Sequence, residues 1–239
     1  MPNEQKVTFA GSQAQLAGVM HHPPGPHRGH ALFAHCFTCS KDVRAARSIA
    51  SALAEHGIAT LRFDFTGLGE SEGAFEETTF SSSIDDLVAA ATYLEEAHAH
   101  GQDGGDGGPS LLIGHSLGGA AVLAAAHRLP NVAAIATIGA PADPAHVAKL
   151  FAPAQSEIET TGSAEVELAG RRFTIRKEFL DDLAAHCAPS RIAALGRPLI
   201  VFHAPRDQIV GIENAAKIFQ AAKHPKTFVS LDDADHLLT

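Results

Sequence analysis

The chain has 239 residues, enough to bury a full core and most simply one domain. Its 27 acidic against 18 basic residues give a formal charge of −9 without a basic run, which speaks against a nucleic acid partner and against an anionic membrane surface. No stretch approaches the roughly 18 apolar residues of a spanning helix, and the first residues carry no apolar run of signal-peptide type, so a cytoplasmic location is expected.

Residues 6–9 and 15–20 read as two short strands joined around Gly11 and Ser12, and His22-Pro23-Pro24-Gly25-Pro26 as the rigid turn that ends them. Residues 30–35 form the first apolar strand of parallel-sheet type. Residues 40–56 follow as a helix, with Ile49, Leu53 and alanines on its buried side. Cys36 and Cys39 lie between the two at C-x-x-C spacing, yet no second pair or nearby histidine cluster completes a zinc site. With Cys187 they make three cysteines, an odd number without a disulfide framework, so the pair is expected to be two small residues packed under a loop in a reducing cytosol. Residues 58–63 are the next strand. The Gly-rich loop 64–71 follows, its glycines serving turn geometry and Asp64 bracing it by hydrogen bonds. Residues 83–100 form a second amphipathic helix, and 101–108 a flexible acidic loop.

The apolar run Leu111-Leu112-Ile113 ends in Gly114-His115-Ser116-Leu117-Gly118, and an Ala-rich helical pattern over 117–129 begins at once. Strand, Gly-x-Ser-x-Gly and helix form the context of a nucleophile elbow, a turn so tight that only glycines escape collision on either side of the serine. Ser116 then stands exposed at the positive end of a helix, where an oxyanion is favoured. Another strand follows at 132–138, and strand alternating with helix implies a mostly parallel sheet covered on both faces. The rhythm breaks over about 143–195, too long for a plain crossover. Within it, 164–168 and 172–175 look like a hairpin and 177–186 a helix, so the insertion is a candidate cap over the strand ends. Phe151, Phe173, Ile175 and Phe179 either meet an acyl chain or only hold this cap down, and His35 and Cys36 are further pocket candidates. The pattern resumes with strand 198–203, helix 211–223 and strand 226–231.

Asp207 lies four residues beyond residue 203, and His236 just past the last strand, giving the order Ser, Asp, His expected of loops at one sheet edge. The chemistry asks for these types: a hydroxyl is a poor nucleophile until an imidazole takes its proton, and a carboxylate fixes the imidazole's tautomer. Asp232, Asp233 and Asp235 compete with Asp207 but stand very close in sequence to His236, where Asp235 would brace the loop. His115 is expected to point away from the reacting centre. The remaining histidines, among them His21, His30, His186 and His203, read as surface or core residues.

The segments at 35–42, 62–71, 113–119 and 235–238 carry a resemblance to the α/β-hydrolase superfamily over essentially the whole chain. More narrowly, the chain resembles the bacterial hydrolase domain often fused to an OsmC-like domain. That resemblance implies an α/β-hydrolase fold and an oxyanion hole made by the backbone N–H groups of Leu117 and Phe37, with Cys36 standing where many relatives have Gly. It also implies a closing C-terminal helix, and in fused relatives a second domain, for which this sequence has no residues after Thr239; peroxide reduction is therefore not carried over. The expected function is a carboxylesterase-like serine hydrolase that cleaves small carboxylic esters through an acyl-enzyme, with no cofactor or metal. Thioesters, lactones and amides stay open as substrates. The alternative is a non-catalytic hydrolase-like binding or protein-interaction module. Without a closing helix, the apolar face of the last strand, through Phe228, Val229 and Leu231, is expected to lie uncovered and to favour a homo-oligomer across that sheet edge.

Overall fold

β1 (Asn3–Ala10) and β2 (Gln15–His22) pair antiparallel, turned by the Gly11 N–H donating to the Ala14 carbonyl at 2.8 Å. This is a computed structural model, and it describes residues 3–98, 108–168, 170–186 and 189–239. β2 also pairs antiparallel with β4 (Ile58–Phe63), and from there the sheet is parallel: β4, β3 (Gly29–Ala34), β5 (Leu111–His115), β6 (Ala134–Ile138), β9 (Leu199–His203) and β10 (Lys226–Ser230) in spatial order. β3 and β5 are neighbours although β4 comes between them in sequence, so the loops after them diverge and leave a crevice at their carboxyl ends.

Helices cover both faces, as the alternating pattern predicts. α2 (Phe80–His98), α3 (Leu117–Ala125) and α7 (Glu213–Ala221) lie on one face, burying Leu87, Leu94, Val122 and Ile218 against Leu61, Leu112 and Val201. α1 (Arg44–Glu55) lies on the other over Phe33, Ile113 and Ile138. Its alanines at 46, 50 and 54 are fully buried, and Ala45 nearly so, which lets its backbone approach the sheet, while Ile49 and Leu53 pack at the rim. The helix predicted from residue 40 thus begins at Arg44. The 83–100 helix begins at Phe80 and is described to His98; its last two predicted residues, most of the acidic loop, and Cys187 fall outside the described residues.

The insertion is a cap as expected, and richer than predicted. A 3-10 segment (Pro144–Ala154) and α4 (Gln155–Thr161) precede the predicted hairpin of β7 (Ser163–Leu168) and β8 (Arg171–Arg176), and α5 (Lys177–Ala185) and α6 (Pro189–Ala193) follow it. Asp182 ties α5 to the body by accepting from Ser81 N–H and Oγ–H, both at 2.6 Å, and Arg176 meets Glu76 at 2.8 Å. β10 is the outer strand of the sheet. Here one expectation is corrected: the register pairs Phe228 with Val201 and Val229 with Phe202, so Phe228 faces the α7 side while Val229 faces the α1 side. The three side chains do not share a face, because strand neighbours alternate.

Candidate active site

Ser116 sits at the junction of β5 and α3 with φ 54° and ψ −125°, a left-handed backbone that a side-chain-bearing residue adopts only when its surroundings force it. The forcing is visible at the flanking glycines. A Cβ on Gly114 would lie 2.3 Å from the Gly118 carbonyl oxygen, and one on Gly118 would lie 2.4 Å from the carbonyl oxygens of Ala34 and His35. The elbow is therefore pressed against the end of β3, where residues 35–39 begin.

Three loops converge on this serine. His236, beyond β10, brings Nε2 to 2.9 Å from Ser116 Oγ and Nδ1 to 2.7 Å from Asp207 Oδ2, in the loop after β9. An ionised carboxylate only accepts, so Nδ1 carries the proton and donates to Asp207, leaving Nε2 to accept from the serine hydroxyl. Asp207 is buried, and its Oδ1 accepts from the amides of Ile209 at 2.9 Å and Val210 at 2.8 Å. Burial pushes its pKa up, but the hydrogen bonds from His236 and these amides outweigh that and hold it below the ordinary carboxylate value. Asp235 instead accepts from Thr239 N–H at 2.9 Å and pairs with the Thr239 hydroxyl, the loop-bracing role expected of it.

His115 is closer to this centre than its sequence position suggests. Its Nε2–H donates at 2.7 Å to the backbone carbonyl of His236, and the two rings lie 5.1 Å apart. Burial first, and then the neighbouring His236, lower its pKa from 6.5 to about 4, so it stays neutral. His203 supports the loop that carries Asp207, donating from Nε2 to the Val210 carbonyl at 2.7 Å. His203 lies in no motif, and His115 occupies a variable position of Gly-x-Ser-x-Gly, so neither contact is marked by the sequence pattern.

The loop after β3 faces the elbow. Residues 36–39 form a tight turn in which the Cys39 N–H donates to the Cys36 carbonyl at 3.1 Å and Thr38 has φ 61°. Cys36 and Cys39 are joined by a disulfide, which corrects the expectation of two separately packed cysteines. An odd cysteine total argues against a framework of bridges but says nothing against one local bridge across a turn. His35 is buried beneath the turn, donating from Nδ1 to the Cys36 carbonyl at 2.8 Å, with burial the main cause of its lowered pKa. Lys41 anchors the far end: its backbone N–H and Nζ reach the two oxygens of Asp64 at 2.5 and 2.9 Å, and Nζ also meets Glu70 at 2.7 Å. Burial would lower the Lys41 pKa, but its hydrogen bonds to Glu70, Asp64 and Asp42 prevail and raise it. Asp64 thus braces the loops as predicted, and Gly67 and Gly69, at φ 74° and 57°, serve the turn.

The cap covers this turn with aromatic rings. Phe37 stacks on Phe179 at 5.4 Å and lies 5.6 Å from Phe75, which in turn meets Phe173 edge-on at 4.9 Å. Phe151 lies 6.4 Å from Phe37, and Ile175 is buried in the same cluster. A cavity with an empty volume of about 450 Å³, its mouth included, runs behind Phe37 and Leu117; His35, Cys36 and Phe179 line it, whereas Phe151, Phe173 and Ile175 do not. Phe75, which also lines it, was not foreseen, since a lone aromatic in a loop has no periodicity to mark it. Among the described residues no group of His, Cys, Asp or Glu is arranged to hold a metal ion, and no helix is long and apolar enough to cross a membrane.

This sheet order, with a serine elbow after β5 and Asp and His on the loops after β9 and β10, defines an α/β-hydrolase fold with an inserted cap. The chain belongs to the Hydrolase_4 family, described as serine aminopeptidase, S33, whose profile matches residues 25–186. It is similar to the esterase domain of a Rhodothermus marinus protein, with 49% identity, a TM-score of 0.77, and coverage of 99% of this chain and 91% of that one. It is 25% identical over 215 residues to the uncharacterized protein YfhR of Salmonella typhi, covering 89% of this chain and 66% of that protein. Over 187 residues it is 27% identical to the mitochondrial palmitoyl-protein thioesterase ABHD10 of Mus musculus, covering 75% and 59%. The chain thus spans a little under two thirds of the length of these curated relatives.

Proposed function

We propose that Ser116, His236 and Asp207 act as a catalytic triad, with the amides of Phe37 and Leu117 as the oxyanion hole, and that the protein hydrolyses small carboxylic esters. The observation that carries this is the unbroken relay from Ser116 Oγ through His236 to Asp207, at 2.9 and 2.7 Å, on a serine with φ 54°. Ser116 Oγ attacks the ester carbonyl while His236 Nε2 takes its proton. The tetrahedral oxyanion is held by the two amides, each such donor being worth about 3–4 kcal/mol. His236 then protonates the leaving alcohol, and in the second half activates water to free the acid.

The 49% identical relative is described as an esterase domain, which favours an ester over the amide suggested by the family's descriptive name. Phe37 and Phe179, stacked on each other, both line the modest apolar cavity under the cap, so short acyl chains, roughly C2 to C6, are the expected substrates, each fitting methylene adding about 0.8 kcal/mol. A panel of p-nitrophenyl esters tests both points. Ser116→Ala, Asp207→Asn and His236→Ala should each lower kcat by orders of magnitude with unchanged circular dichroism, since the three groups act as a unit. Hydrolysis by Ser116→Ala at the parent rate would refute the mechanism, and a kcat/KM optimum at C10 or longer would refute the short-chain preference.

The same proposal includes a cytoplasmic setting, whose reducing poise bears on the Cys36–Cys39 bridge, and contact with a second copy through the β10 edge. The narrower likeness to hydrolase domains that accompany OsmC-like domains also belongs here. The relatives compared are hydrolases or unassigned, and no peroxide chemistry is proposed.

A further inference from the structure

The turn that presents Phe37 to the elbow is closed by three constraints of different kinds. One is the Cys39 N–H donating to the Cys36 carbonyl at 3.1 Å, and another is His35 Nδ1–H donating to that same carbonyl at 2.8 Å. The third is the Cys36–Cys39 disulfide, which brings the two Cα atoms to 5.3 Å. Against them stands Thr38, a β-branched residue at φ 61°, a conformation such residues avoid. Both ends of the segment are pinned independently, by β3 before it and by the Lys41–Asp64 pair after it. The disulfide therefore acts on the peptide between the cysteines, together with the two hydrogen bonds to the Cys36 carbonyl and the packing of the Phe37 ring on Phe75 and Phe179, and that peptide holds the Phe37 N–H.

We propose that Cys36 and Cys39 are a reversible thiol–disulfide site, exchanging with dithiol reductants, that switches the oxyanion hole: the disulfide holds the Phe37 amide in place and the dithiol releases it. This rests on the oxyanion role proposed for Phe37. Cys39 is partly exposed while Cys36 is buried, so a reductant thiolate attacks Cys39 Sγ. The S–S bond breaks, its electron pair goes to Cys36 sulfur, and that sulfur takes a proton. The second thiol of the reductant then displaces Cys39 from the mixed disulfide, and Cys39 is protonated in turn. Two electrons and two protons pass to the protein, and the dithiol leaves as a cyclic disulfide. Once the bridge is open, Thr38 is free to leave its left-handed conformation, and the Phe37 N–H turns away from the position an oxyanion would occupy. Disulfides in reducing compartments are mostly catalytic or sensing, which agrees with a bridge placed on the reaction machinery rather than across the fold.

The test compares the oxidised full chain with the same chain reduced by dithiothreitol and desalted without oxygen, so that no free thiol attacks the ester. Alkylation and mass measurement fix the redox state, and ester turnover and amide hydrogen exchange of the segment around residues 36–41 are read on both. Complete loss of an oxyanion donor costs on the order of 10²–10³ in kcat, so reduction should lower kcat roughly tenfold to a hundredfold with KM little changed. Exchange in the segment should quicken, and reoxidation should restore both. The double variant Cys36→Ser, Cys39→Ser should match the reduced protein and ignore the reductant. A bridge that dithiothreitol does not open in the folded protein would overturn the proposal, as would kcat within twofold in fully reduced protein. If neither form hydrolyses any ester, the esterase reading fails by itself. Exchange then still decides the switch: unchanged protection on reduction overturns it, and faster exchange supports it.

Discussion

His115 and Ser116 are adjacent in the chain, and both reach His236, the serine at its ring and His115 at its backbone carbonyl. The second contact ties the loop of His236, the proposed base, to the end of β5, the strand that leads into Ser116, the proposed nucleophile, so the two residues share one anchor. Because His115 is held neutral, with its pKa lowered from 6.5 to about 4, it makes stability depend on pH. The unfolded chain binds this proton below about 6.5 and the folded one only below about 4. The contribution is therefore whole above the upper value and is lost as pH falls between the two, by on the order of 3 kcal/mol. His21 and His35, also lowered chiefly by burial, act in the same sense. Melting curves from pH 7 to pH 4 should show a smaller drop for His115→Gln, whose amide still donates to the carbonyl, than for the parent. An equal drop would mean that His115 is not the buried neutral group described here.

At the scale of elements, the loops after β3 and β4 are held together by Lys41 and Asp64, both buried. Lys41→Met leaves the Asp64 carboxylate without its cation, and breaking a buried pair from one side costs about 3–5 kcal/mol. Denaturant midpoints should fall accordingly; an unchanged midpoint would show that Asp64 is satisfied by its amide donors alone. In the cap, Phe179→Ala removes the ring stacked on Phe37 and should cost about 3–5 kcal/mol while shifting the acyl optimum to longer chains. Phe173→Ala should cost a similar amount with the optimum unmoved, since Phe173 does not line the cavity. These elements also mark what the sequence makes legible. The strands were readable because each is an apolar run closed by a turn, and the elbow because glycine, serine and glycine stand between strand and helix. The first half of the cap was not, because residues 144–154 are Ala- and Pro-rich and form 3-10 turns broken by non-helical backbone at Phe151 and by Pro153. Asp207 could be selected by its distance from β9, whereas the support from His115 and His203 depends on tertiary contacts that no local pattern encodes.

At the scale of the whole molecule, packing is incomplete at the β10 edge. α1 covers the central strands on its face, and beyond it Ile200, Phe202, Leu231 and Leu238 are only partly buried. Phe228 is 42% exposed on the opposite face and Leu237 50% exposed beyond the strand. A lysine often guards a sheet edge against pairing, but Lys226 is not available for this. Its Nζ donates to the carbonyls of Phe219 and Ala222 at the end of α7, at 2.5 and 2.7 Å. Leu231 N–H donates to His203 across the β9 side, so by alternation the backbone groups of Phe228 and Ser230 face outward and remain for another strand. The contact with a second copy proposed above would use a two-fold axis that sets β10 antiparallel to its mate and brings each Phe228 near the other. Light scattering over a concentration series should accordingly show self-association. Phe228→Lys should abolish it by setting like charges across the axis, while the melting temperature of the dilute protein changes little because the side chain is already half exposed. A sharp monomer at every concentration, or association that survives Phe228→Lys, would remove β10 as the contact and leave the edge protected by its short length alone.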